Sequence, residues 1–174
     1  TSLPQSFVAS DLGSVCIRHR DRVRTTVMAR YAVTVRTPKS PEDAFAYVAT
    51  LSNLPEWDAG VDRAKQVRGD GPGPEAAYEV TLAQPGKTRL TYETTEFDGE
   101  ALTTTLVAEY SWYRSVDTVS ATSGPDGTQL TYDASLQLKG PLALGDPLFR
   151  LVFNRIGDKA AAGLLRELDG EKVA

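Results

Sequence analysis

From Arg30 to Arg36 the chain alternates polar and apolar positions, with Tyr31, Val33 and Val35 on one face, which is the two-residue period of a half-buried strand. The period changes at Ser40-Pro41-Glu42-Asp43. A hydroxyl cap, a proline at the first helical position and a carboxylate in the first turn predict a helix to about Leu51 that buries Phe45, Val48 and Ala49. Asn53-Leu54-Pro55-Glu56-Trp57 repeats the cap-and-proline signal and predicts a short helical turn carrying Trp57.

Between Val61 and Leu138 strand-length runs are separated by turn chemistry at Gly71-Pro72-Gly73-Pro74, Pro85-Gly86, Asp98-Gly99 and Pro125-Asp126-Gly127. Strands are expected near 61–68, 75–83, 87–97, 101–110, 112–122 and 128–138, with a tight corner at Tyr110-Ser111-Trp112. This is a six-stranded antiparallel meander. In its last strand Leu130, Tyr132, Ala134, Leu136 and Leu138 share one face, and Thr131, Asp133, Ser135 and Gln137 the other.

That apolar face needs a cover, and Asp146-Pro147 supplies it by capping a long helix to about Leu168, stopped by Asp169-Gly170. At about 100° per residue, Phe149, Val152, Phe153, Ile156, Ala160, Gly163 and Leu164 form one stripe, which tapers from large to small side chains. Such a helix cannot fill the space over a sheet uniformly. Either a cavity remains or facing strand residues close the gap.

Composition restricts the chemistry. With 19 Lys and Arg against 23 Asp and Glu the chain carries a net −4, and its only His, Cys and Met are His19, Cys16 and Met28. Residues beyond 28 therefore offer no imidazole or thiolate, which excludes Ser-His-Asp triads, Cys nucleophiles and zinc sites built on those ligands. A single Cys forms no internal disulfide, so a cytoplasmic, soluble protein is expected, and no run reaches the roughly 18 apolar residues of a membrane span. No cofactor or metal site is expected, and the acidic body argues against nucleic acid.

The segment 1–27 differs in holding Arg18, Arg20, Arg22 and Arg24 against Asp11 and Asp21, while 28–174 holds 15 basic and 21 acidic side chains, a net −6. It reads as a basic tail. An artefactual extension with Met28 as the true start, a native disordered arm and a basic interaction segment remain open for it. Residues 28–174 are expected to form the folded domain.

The order strand, capped helix, short Trp-bearing helix, meander and long C-terminal helix resembles the helix-grip fold of the START-like (SRPBCC) superfamily. Ser40-Pro41-Glu42-Asp43-Ala44-Phe45 with Leu54-Pro55-Glu56-Trp57-Asp58 is similar to that family's opening, and Thr91-Tyr92-Glu93-Thr94-Thr95-Glu96-Phe97-Asp98 to its central strand. Gly127-Thr128-Gln129-Leu130-Thr131-Tyr132 with Leu138-Lys139-Gly140-Pro141-Leu142 looks like its last strand and the approach to its helix. The branch it looks most like is the polyketide cyclase/dehydrase and lipid-transport group. The resemblance implies an α+β fold, a curved antiparallel sheet of about seven strands round the long helix. It also implies a cavity for lipids, polyketides, isoprenoids or aromatic compounds, but no particular reaction.

Candidate cavity residues are Trp57 at the helical turn, Tyr78, Tyr92 and Tyr132 on inward strand positions, Tyr110 and Trp112 at the corner, and Phe149, Phe153 and Ile156 on the helix. Each could equally be core packing. If the protein is an enzyme, an aromatase/cyclase or dehydratase would draw its acid and base from Tyr92, Tyr132 and Asp117. Asp117 shares parity with Val119 and Ala121 and is the better internal candidate, but the leading expectation for it is a strand-end or solvated carboxylate; Arg89 alternates outward against Leu90 and Tyr92. The leading expectation is a carrier or sensor of a hydrophobic small molecule, monomeric or homodimeric. The alternatives are the cyclase or dehydratase and a protein-interaction module.

Overall fold

The computed structural model describes residues 28–83, 87–139 and 146–173, with the side chains of Met28 and 146–152 outside that description. The segment 1–27, the Pro85-Gly86 turn and the stretch 140–145 therefore lie outside the described residues. The elements are β1 (Met28–Thr37), α1 (Pro41–Ala49), a 3-10 turn (Leu51–Asn53), α2 (Leu54–Trp57), β2 (Val61–Arg68), β3 (Ala77–Leu82), β4 (Arg89–Asp98), β5 (Thr103–Glu109), β6 (Tyr113–Gly124), β7 (Gly127–Leu138), α3 (Asp146–Glu167) and β8 (Glu171–Lys172).

One antiparallel sheet takes the order β2-β3-β4-β5-β6-β7-β1-β8. The meander is the expected one, and β1 lies against β7 from Met28 opposite Gln137 to Thr37 opposite Thr128. Alternation sets the faces: along β6, Tyr113, Ser115, Asp117, Val119 and Ala121 are buried while the intervening residues are half-exposed. On the opposite face Arg30 pairs with Asp133, and Thr34 meets Thr131 at 3.0 Å.

The capping signals act as the sequence predicts. Ser40 Oγ accepts the Asp43 N–H at 3.0 Å, with Pro41 in the first turn, an arrangement worth about 1 kcal/mol. The helix ends at Ala49, two residues before the expected Leu51, because Thr50 leaves helical geometry and a 3-10 turn follows. α1 packs against β6 and β7, and α3 against β1 and α2.

Two glycines set the height of α3. A Cβ at Gly163 would lie 2.0 Å from the Trp57 carbonyl oxygen, and one at Gly157 would lie 2.3 Å from Cγ of Tyr31. The helix backbone thus rests directly on α2 and on the Tyr31 ring. Arg166 Nη2 adds a hydrogen bond to the Glu56 carbonyl at 2.8 Å, and Tyr31 donates its hydroxyl to Asp158 at 3.1 Å.

The C-terminus departs from expectation. An eighth strand follows α3, because Asp169 turns the chain with a left-handed φ of 50° and Glu171 and Lys172 then pair with Arg36 and Val35. Two residues are too short to show alternation, so this strand leaves no periodic signal. Gly163→Ala should lower stability by about 2 kcal/mol or more despite the helix preference of alanine, because the new methyl meets backbone that cannot yield. Thermal unfolding measures this, and an unchanged or raised melting temperature would contradict the seating of α3.

Candidate functional site

Where α3 spans the concave face of the sheet, a cavity of about 120 Å³ remains. Its roof is Phe153, Ile156, Gly157, Ala160, Ala161 and Leu164, the part of α3 where the side chains become small. Its floor comes from Tyr31 and Val33 of β1, Val80 and Leu82 of β3, Tyr92 of β4, Ser115 and Asp117 of β6, and Tyr132 and Ala134 of β7. Leu54, Trp57, Asp58 and Val61 close one side. The taper read from the helix stripe is thus matched by an unfilled space, and strand side chains do not close it.

A row of polar groups crosses this apolar floor. Tyr132 donates its hydroxyl to Asp117 Oδ2 at 2.7 Å, Ser115 Oγ lies 3.1 Å from Asp117 Oδ1, and Tyr92 donates to Ser115 Oγ at 3.2 Å. Asp117 is only 6% exposed, so burial pushes its carboxyl up to about 6. The hydrogen bonds from Tyr132 and Ser115 restrain that rise, and the negative charges of Asp58 and Asp133 add to it. Burial and the Asp117 carboxylate hold the Tyr92 and Tyr132 hydroxyls well above the ordinary phenol range.

Asp58, at the C-terminal end of α2, is the second carboxylate on the lining. Burial raises its carboxyl above the usual value, while the Gly60 N–H at 2.8 Å pulls it down. Trp57 packs edge-on to Tyr132 with ring centroids 5.2 Å apart. Among the described residues, no three His, Cys, Asp or Glu side chains gather as a metal site, and no helix is long and apolar enough to cross a membrane.

Of the residues singled out from the sequence, the structure brings Trp57, Tyr92, Asp117, Tyr132, Phe153 and Ile156 to this one cavity. Ile156, 46% exposed, stands at its rim. Tyr78 is on the same sheet but is fully buried, with its hydroxyl turned 3.3 Å from the Gly71 carbonyl rather than to the cavity. Tyr110 and Trp112 are exposed at the corner, where Tyr110 stacks on Tyr113. The Phe149 side chain lies outside the described residues. Arg89 is exposed, as its alternation implies.

Tyr31, Asp58 and Ser115 complete the polar part of the lining without having been named as site residues from the sequence. Ser115 shares the parity that marks Asp117, and Asp58 follows Trp57 directly, so position relative to the named residues was the available signal. The solvated position expected for Asp117 is corrected by the structure: β6 faces that residue into the groove, where it is buried.

An antiparallel sheet gripping a C-terminal helix over a cavity defines the START-like helix-grip class. A family model described as polyketide cyclase / dehydrase and lipid transport matches residues 28–169, and the chain belongs to that family. A START superfamily protein from Mycobacterium smegmatis is 16% identical, with a TM-score of 0.63 over 82% of this chain and 97% of its own. TTHA0849 from Thermus thermophilus is 20% identical, with a TM-score of 0.61 over 81% of this chain and 93% of its own. Ara h 8.0201 is 15% identical with a TM-score of 0.53, over 80% and 99%. At these identities the likeness is one of fold. No curated protein matches the sequence.

The Asp117 carboxyl makes stability depend on pH. Raised from 3.8 in the unfolded chain to about 6, it binds its proton more tightly in the folded state. Stability is therefore greatest below about pH 4 as far as this group is concerned, and falls by on the order of 3 kcal/mol as pH rises through 6. Asp58 acts in the same direction. Asp117→Asn should accordingly be more stable than the parent at about pH 8, with the difference fading towards about pH 4. Denaturant unfolding at the two pH values measures this; a variant destabilised equally at both would refute it.

Proposed function

We propose that the protein is a carrier or sensor that encloses a hydrophobic small molecule between α3 and the concave sheet. The supporting observation is the cavity of about 120 Å³, partly open at the Ile156 rim, apolar on most of its surface and bordered by Trp57, Tyr31 and Phe153. An apolar cavity of about 150 Å³ in another protein holds one benzene ring, so this one suits a single ring or a short branched chain. Burying about 200 Å² of such a ligand gives about 5 kcal/mol before the cost of immobilisation. Apolar contact alone therefore supports weak binding, and the polar row supplies the remaining selectivity.

A second reading, an acid/base enzyme of the cyclase or dehydratase kind, is favoured by one observation. Burial pushes the Asp117 carboxyl up to about 6 and the Tyr132 hydroxyl donates to it at 2.7 Å, which is the poise of a general acid or base that works close to neutral pH. In that reading Asp117 exchanges a proton with the bound molecule, while Tyr132 and Ser115 keep its carboxyl oriented and Tyr92 orients Ser115. Tyr92→Phe together with Asp117→Asn would then abolish turnover and leave apolar binding intact.

Filling the cavity separates enclosure from surface binding. In a Trp112→Phe background, where Trp57 is the one remaining indole, toluene should alter the fluorescence of the parent. Ala134→Leu should weaken that response by about tenfold or more while keeping or raising the melting temperature, since the added side chain occupies space that is empty. Equal responses in both proteins would place the ligand elsewhere and overturn the proposal.

A further inference from the structure

The polar chemistry of the cavity is one-sided. Tyr132 donates a hydrogen bond to Asp117, Ser115 stands within hydrogen-bond distance of the other Asp117 oxygen, and Tyr92 donates to Ser115. With Asp117 ionised, a carboxylate only accepts, so the Ser115 proton must also point to it. Every hydroxyl proton in the row is thereby committed inside the protein. What the row can still offer a ligand is lone pairs.

The same one-sidedness holds for charge. Asp58 and Asp117 both line the cavity, and among the described residues its lining contains no Lys, Arg or His. Tyr31 spends its hydroxyl on Asp158 outside the roof. The indole N–H of Trp57 is fully packed, with no partner, and presents nothing to the space. Aromatic rings of Tyr31, Trp57, Tyr92, Tyr132 and Phe153 make up much of the wall. Two carboxylates, acceptor-only hydroxyls and electron-rich ring faces are the surroundings in which an ammonium group is held by charge, hydrogen bonding and cation–π attraction together. A carboxylate ligand would meet like charge and find no donor, and a neutral carbonyl compound would leave its oxygen unpaired.

The geometry points to a small apolar amine, bound as its ammonium ion with the charged nitrogen against Asp117 and Asp58, as the class of ligand this cavity takes. This inference rests on the proposed enclosure of a hydrophobic molecule and names its chemistry. Size limits the ligand to about one small ring, and because the cavity is open at the Ile156 rim a short substituent need not lie wholly inside it. The ligand then neutralises charge that the fold itself leaves uncompensated, which links occupancy to stability.

Four probes of nearly one shape test it: benzylamine, benzyl alcohol, benzoate and toluene, titrated by calorimetry into the full chain at about pH 8, where Asp117 is ionised. Benzylamine should bind about tenfold or more tightly than benzyl alcohol, and benzoate should be the weakest. In Asp117→Asn the preference for the amine should shrink at least several-fold while toluene binding persists, and Asp58→Asn, tested separately, should also reduce it. If benzyl alcohol or benzoate binds as tightly as the amine, or the amine preference survives in both variants, the amine assignment is wrong and the enclosure of an apolar molecule stands. If none of the four binds, toluene included, the enclosure itself is wrong and the amine assignment falls with it.

Discussion

The seating of α3 on two backbone contacts governs the rest of the molecule. At Gly163 the helix meets the Trp57 carbonyl, and at Gly157 it lies on the Tyr31 ring, approaches that any side chain at either position would prevent. Large residues could hold a helix off a sheet and fill the interval with their own bulk. Here the helix comes down onto its neighbours with Ala160 and Ala161 between the two contacts, so its height is fixed by backbone and the interval below is left short of atoms. The cavity is a consequence of how the helix is held.

That empty interval would be a pure cost if the floor were uniformly apolar, because lining atoms lose dispersion partners. The floor is instead crossed by Asp117 and its hydroxyl donors. A buried carboxylate is costly unless hydrogen-bonded, and Tyr132 and Ser115 meet that need without neutralising the charge. Both unusual features, an unfilled space and an uncompensated carboxylate, lie in one place and detract from stability. Stability conceded at one site is the pattern of a site kept for binding or chemistry.

Much of this is legible in the sequence, for physical reasons that differ by element. Ser40-Pro41 and Leu54-Pro55 mark the helix starts because capping is local chemistry, and the turn residues mark the hairpins for the same reason. Parity along a strand places Tyr92, Asp117 and Tyr132 on the inner face, since alternation leaves only two choices. Parity cannot say where along the groove an inward residue falls. Tyr78 is as inward as Tyr92, yet its hydroxyl is spent on the Gly71 turn, and that depends on the path of a loop. Tyr110 and Trp112 looked like groove residues for their size alone, but the corner carries them outside. Asp58 and the glycine contacts arise from the meeting of α2 with α3 across about a hundred residues, which no local pattern encodes.

The central claim is that an ionisable carboxyl is buried in the floor of the cavity, satisfied by hydroxyls and balanced by no cation among the described residues. The most direct measurement is the titration of the Asp117 side-chain carboxyl by carbon-13 NMR, assigned by its loss in Asp117→Asn. Burial of the carboxyl predicts a midpoint raised to about 6. A midpoint near 4, the ordinary value for a solvated aspartate, would mean that the groove is open to water and would contradict the account.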